Sequence, residues 1–287
     1  MMQSEHAGQR NLQQSGAAGQ RNTQHATNIK KRSMRRKKAR RMRRIKRIFV
    51  AAIILLVVFA AGRTSFVQGF LNHWNVKSEA TLTAEGYPDS LIQLYEKNEE
   101  ARQFVLDYKK NGNNEQPIDI SSDVVDGKIP LFLQWDERWG YRTYGDNFLA
   151  ITGCGPTALS MVYVGLTGDT SMNPYTVAQM AQEDGFYVNG SGSSWSMMTE
   201  LATKLGLSAQ ELSLSEDSIR QELSQGHPII CIMGPGDFTT SGHLIVLTGV
   251  DSDGKITVND SNSKKNSKKA WKIDDLMSQI RDLWVYQ

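Results

Sequence analysis

Cysteine is scarce in this chain: its 287 residues hold two, Cys154 and Cys231. Two thiols exclude a disulfide-dense scaffold, so any folded part must rely on a packed core. Histidine is also sparse, at five residues. No zinc-ligand spacing, phosphate-binding glycine loop or internal repeat occurs. No cofactor or metal is therefore expected. Residues 1–29 almost lack large apolar side chains and are rich in Gln, Asn, Ser, Gly and Ala. They cannot bury a core and read as a disordered tail. Residues 30–47 lack acid altogether and carry 13 Lys and Arg.

Long apolar runs are missing except in one place. Ile48 to Gly62, IFVAAIILLVVFAAG, has no charge over 15 residues. As a helix it spans roughly 22 Å, short of the ~30 Å hydrocarbon core. A snorkelling Arg63 and the following Thr64-Ser65-Phe66-Val67 lengthen it. One transmembrane helix is expected at 48–67. The basic segment 30–47 then stays in the cytoplasm and the C-terminal part lies outside, a single-pass plasma-membrane topology. Residues 64–287 carry 17 basic and 29 acidic residues, a net charge of −12. The two regions thus suit different surroundings. A cleaved signal peptide ending near Val58-Phe59-Ala60 is the alternative, against which its 47-residue n-region counts. A nucleic-acid-binding arm would explain the basic run but not the apolar block behind it. No nucleic-acid partner is expected.

Residues 68–127 read as a membrane-proximal stalk with two short helices and a linker. Leu91, Leu94 and Tyr95, then Ala101, Phe104, Val105 and Tyr108, recur at helical spacing and predict helices at 89–97 and 98–109. An extended linker over 113–128 leads to the main domain, 128–287. Ile129-Pro130-Leu131-Phe132-Leu133-Gln134 predicts its first strand. Helices are expected at 154–165, at 173–182 behind Asn173-Pro174, at 193–205 opened by Ser193-Ser194, and at 215–224. Apolar runs predict strands at 228–233 and 243–250. Asp253-Gly254 turns the chain into a third strand at 255–260. A helix at 273–282 and a strand at 283–286 close the chain. Helices precede an antiparallel sheet, which makes the fold class α+β.

Chemistry concentrates at Gly153-Cys154-Gly155-Pro156-Thr157. The thiol sits where a loop becomes a helix, and a helix N-terminus favours thiolate, the nucleophilic form. A lone cysteine in a turn is more often inert. A nucleophile needs a base, and the base an orienting group. His6, His25 and His73 fall outside the main domain. His227 sits at a helix C-cap, and His243 opens an apolar strand beside glycines. His243 is the candidate base. In the hairpin 243–260, Asp260 ends the partner strand at the same end and is the candidate orienting acid, with Asn259 and Asn262 as alternatives. Gln134 is the candidate oxyanion donor, joined by the N–H of Cys154. Without Cys154 and His243 it would be an ordinary strand-end glutamine.

Pro-Leu-Phe-Leu-Gln-Trp-Asp-Glu-Arg-Trp-Gly-Tyr, Gly-Cys-Gly-Pro-Thr, Gly-His-Leu-Ile-Val-Leu-Thr-Gly-Val and Val-Asn-Asp-Ser-Asn occur in that order. Together they resemble papain-like cysteine peptidases related to the double-glycine leader peptidases of bacteriocin exporters. The stand-alone, membrane-anchored bacterial branch is the most similar. The resemblance covers about 128–287. It implies Cys154 as nucleophile, His243 as base, Asp260 as orienting acid and Gln134 in the oxyanion hole. Many relatives place Pro after the acid, where this chain has Ser261. No ATP-binding cassette motif occurs, so a leader-cleaving role in the cytoplasm does not carry over.

The expected function is that of a membrane-anchored extracytoplasmic cysteine peptidase with a peptide or protein substrate. A peptidoglycan amidase or transpeptidase acting on cell-wall peptide, and a catalytically idle binding module, are the alternatives. Cys231 reads as a core residue, with a Cys154–Cys231 disulfide left open. Trp135 and Trp139 suit the core or the cleft. Asp251-Ser252-Asp253-Gly254 reads as a plain turn rather than a calcium loop, and Lys264 to Lys269 as a solvated loop.

Overall fold

The computed structural model describes residues 77–287. The tail, the basic segment and the membrane helix expected at 48–67 lie outside the described residues. Among the described residues, no helix is long and apolar enough to cross a membrane.

Among the described residues, three helices come first: α1 Glu79–Ala84, α2 Asp89–Lys97 and α3 Arg102–Asn111, with a 3-10 turn at Glu99–Ala101. Helices α2 and α3 fall where apolar spacing put them. Helix α1 is an addition to the expected stalk. The Ser78 side chain caps it, and Leu82 anchors it. Leu91, Tyr95, Phe104 and Val105 pack against Trp135, Tyr141 and Ala150 of the main domain. The rings of Phe104 and Tyr141 stack with centroids 4.1 Å apart. Apolar burial of this kind fixes the described helices on the main domain.

No strand forms at 129–134, contrary to the expectation. Pro130 has no N–H to give a ladder. The Asn259 side chain instead donates to the carbonyls of Ile129 and Pro130, at 3.1 and 3.0 Å. The Gln134 N–H donates to the Ser261 carbonyl at 2.8 Å. The segment is held by single bonds, and Gln134 sits in a turn.

Two small hairpins flank the central helices: β1 Thr143–Tyr144 with β2 Asn147–Phe148, and β3 Tyr187–Val188 with β4 Gly192–Ser193. Between them run α4 Leu149–Thr152, α5 Cys154–Thr167 and α6 Pro174–Glu183. Asn173 caps α6 by accepting from the N–H groups of Tyr175 and Thr176, with Pro174 opening the helix. Helix α7 is Met197–Lys204 and starts later than expected, because Ser193 is paired in β4.

The main sheet contains β5 Ala209–Glu211, β6 Ile229–Met233, β7 His243–Val250, β8 Ile256–Asp260 and β9 Ile280–Tyr286. Its order is β5-β9-β6-β7-β8, with all neighbours antiparallel. Helix α8 Glu216–Ser224 precedes β6, while α9 Lys264–Lys268 and α10 Ile273–Met277 lie between β8 and β9. Helix α10 ends earlier than expected and β9 begins at Ile280. The Gly234 N–H donates to the carbonyl of Gln279, at 2.8 Å, which draws the chain onto β6.

Both sheet faces are buried. Ile230, Ile232, Leu244 and Val246 share one core with residues of α5, α6 and α7. Ile229, Cys231, Ile245 and Leu247 share the other with residues of α8 and α10. Alternate residues serve opposite cores, which is why β6 and β7 read as unbroken apolar runs. The α+β expectation holds.

Candidate active site

Cys154 is the first residue of α5, behind Gly153, which has no side chain to cap the helix. The free N–H groups of the first turn therefore face the sulfur's surroundings. Burial works against the Cys154 thiolate. The His243 side chain and the N–H groups of Leu244 and Gly155 outweigh it, so the thiol titrates below its ordinary range. Cys231 is buried mid-strand, and burial pushes its thiol well up. Both cysteines are free thiols, so the disulfide left open by the sequence is not formed.

His243 opens β7, opposite Met233 of β6. Asp260 ends β8 opposite Ile245, with a bulge between Leu247 and Gly249. The two residues lie at the same end of the hairpin, as expected, offset by two residues. Residues 243 and 245 share a pleat face, and the diagonal gap suits two side chains. The result is a 2.7 Å hydrogen bond between His243 Nε2 and Asp260 Oδ1, both buried. Burial opposes the imidazolium, but Asp260 and then Cys154 outweigh it and raise the His243 pKa. Burial also opposes the Asp260 carboxylate, while His243, the Asn266 side chain and the Asn262 N–H hold its pKa down. Both shifts favour a thiolate beside an imidazolium, and the bond to Asp260 leaves the other ring nitrogen of His243 unused by the acid.

The remaining candidates separate clearly. Asn259 is engaged with Ile129 and Pro130. Asn262 supports Asp260 through its N–H, at 2.8 Å. Neither replaces the acid. His227 bonds Glu222 at 2.7 Å and acts as a local cap. Asp251 accepts from the N–H groups of Asp253 and Lys255, the plain turn that was expected. Trp139 lies in the core, and Trp135 is buried against α2 and α3.

Gln134 is buried, and its side chain is fixed at both ends. Its Nε2 donates to the Ala150 carbonyl at 2.8 Å, and its Oε1 accepts from the Ser261 hydroxyl at 3.0 Å. The second N–H of a primary amide remains for another acceptor. Ser261 thus ties the acid's loop to Gln134.

Three contributors carried no signal in sequence. Asn266 of α9 donates to Asp260 Oδ2 at 2.8 Å. The expected solvated loop is therefore a helix that holds the acid. Asn98 donates to the carbonyl and to the side-chain oxygen of Asn262, at 2.8 and 2.9 Å. Glu100 accepts from the Ser263 hydroxyl at 2.7 Å. Trp195, just ahead of α7, is 50% exposed and meets Trp284 edge-on. It lines a cleft of about 440 Å³ with Cys154, Ser193 and His243. Such a volume admits a few residues of a chain.

Among the described residues, no group of three or more His, Cys, Asp or Glu is placed to hold a metal ion. A scan against protein families matches residues 127–287 to the Peptidase_C39 like family. No curated protein matches the chain.

Proposed function

This chain belongs to the Peptidase_C39 like family, and from that premise we propose that it is a membrane-anchored, extracytoplasmic cysteine peptidase with a papain-like fold. The observation that carries the reading is Cys154 at the start of α5, sharing a cleft with a His243 bonded to a buried Asp260.

The chemistry follows from these groups. The Cys154 thiolate attacks the carbonyl carbon of a peptide bond. The carbonyl oxygen becomes an oxyanion, stabilised by the Cys154 N–H and the free amide hydrogen of Gln134. The imidazolium of His243 gives its proton to the leaving nitrogen, and the C–N bond breaks. A thioester between Cys154 and the acyl part remains. Water, deprotonated by His243, then attacks the thioester carbon and releases the acid and the thiolate. Asp260 keeps the ring oriented and favours its charged form throughout.

Replacing Cys154 by Ala should abolish hydrolysis of a peptide library and labelling by a peptidyl thiol-reactive probe. Equal labelling of parent and Cys154→Ala protein would show that the nucleophile lies elsewhere.

A further inference from the structure

Strand β9 carries one residue more than β6 can pair. Met233 faces Ile280 and Ile232 faces Asp282, which leaves Arg281 as the extra residue of a bulge. A bulge takes a side chain out of the alternating pleat and re-aims it. This one sets Arg281 on the wall of the cleft that contains Cys154 and His243. The opposing position is Gly234, where any Cβ would collide with the Arg281 side chain. The missing side chain leaves room for the guanidinium against the backbone, so that it is seated in the cleft wall.

Arg281 is exposed, and among the described residues no carboxylate forms an ion pair with it. No Asp or Glu lines the cleft. This is unusual company in a region of net charge −12. A field of that sign repels anions at a distance, so a cation without an acidic partner in a cleft acts at short range on what is already docked. A guanidinium offers paired N–H donors whose geometry matches a carboxylate.

We propose that Arg281 is a specificity-determining residue that holds a carboxylate of the peptide substrate, an inference that rests on the peptidase reading above. The carboxylate is supplied by an Asp or Glu side chain near the cut bond or by a free C-terminus.

The test uses the purified full-length chain and quenched-fluorescence peptides. One set carries Glu, Gln or Lys in turn at each position around the cut bond, and each peptide is made with a free and an amidated C-terminus. Alkylation of Cys154 by iodoacetamide while the buried Cys231 stays protected reports that the site is folded. The parent should cleave one carboxylate-bearing peptide roughly 10-fold better in kcat/KM than its neutral counterpart, mainly through KM. Loss on changing Glu to Gln assigns a side chain, and loss on amidation assigns the terminus. Arg281→Gln should remove the preference, and Arg281→Glu should turn it towards Lys. If the parent cleaves charged and neutral peptides alike, the Arg281 inference fails and the peptidase reading stands. If Cys154 alkylates but no peptide is cut, the peptidase reading fails and takes the inference with it.

Discussion

At the scale of residues, three side chains act as one titrating unit. Cys154 titrates low, His243 high and Asp260 low, each for a stated cause. The sign of the pH dependence follows. Thiolate and imidazolium coexist above the lowered Cys154 pKa and below the raised His243 pKa, so activity should rise through the first and fall through the second. Stability shares the upper edge of that window and has its lower edge at the carboxylate. The raised His243 contributes fully below the ordinary imidazole pKa, and its contribution is lost as pH rises through the raised value. The lowered Asp260 contributes above the ordinary carboxylate pKa, and its contribution is lost as pH falls through the lowered one. Asp260→Asn removes the charge that keeps the imidazolium. The midpoint of Cys154 alkylation should move up towards the ordinary thiol value of about 8.5, and peptide hydrolysis should fall by about 10²-fold or more. A profile that superimposes on the parent's would take Asp260 out of the unit. Cys154 and His243 were legible in sequence because a glycine-flanked helix start and a strand-opening histidine are local patterns. Asp260 was legible only among alternatives, since Asn259 and Asn262 stand on the same short stretch.

At the scale of elements, the support of the acid comes from distant segments. Asn98, ahead of the 3-10 turn, holds Asn262, whose N–H holds Asp260. Asn98→Asp keeps the acceptor for the Glu100 N–H but replaces a donor by an oxygen that faces the Asn262 oxygens. Unfolding free energy should drop by about 1–3 kcal/mol in urea titration. The alkylation midpoint of Cys154 should rise as well, which a loss of stability alone would not produce. An unchanged midpoint would show that α2 and α3 do not act on the site through this link. The elements α5, α6, α8, β6, β7 and β8 fall within a few residues of where capping, apolar runs and the Asp253-Gly254 turn put them. The short ones do not show, because β1 to β4 have two residues each and α9 has five, too few for any period. The strand expected at 129–134 failed because apolar character alone does not supply a ladder partner.

At the scale of the whole molecule, the orientation proposed from the basic segment and the apolar block has a direct measurement. A membrane-impermeant maleimide added to intact cells should label Cys154 in the parent and not in the Cys154→Ala variant. Cys231 is buried with a raised pKa and should stay unlabelled in both. Labelling of Cys154 only after detergent solubilisation would reverse the topology. The sequence by itself determined the α+β order of elements, the helix that begins at Cys154 and the apolar strands that bury both sheet faces. These depend on backbone preference and hydrophobic spacing over a few neighbours. Only the tertiary structure decided that Asp260 meets His243 across a two-residue offset, that Ser261 and Ala150 hold Gln134, and that a bulge turns Arg281 into the cleft. Those outcomes depend on strand register and on contacts between distant segments, and neither has a signature in any local stretch of the chain.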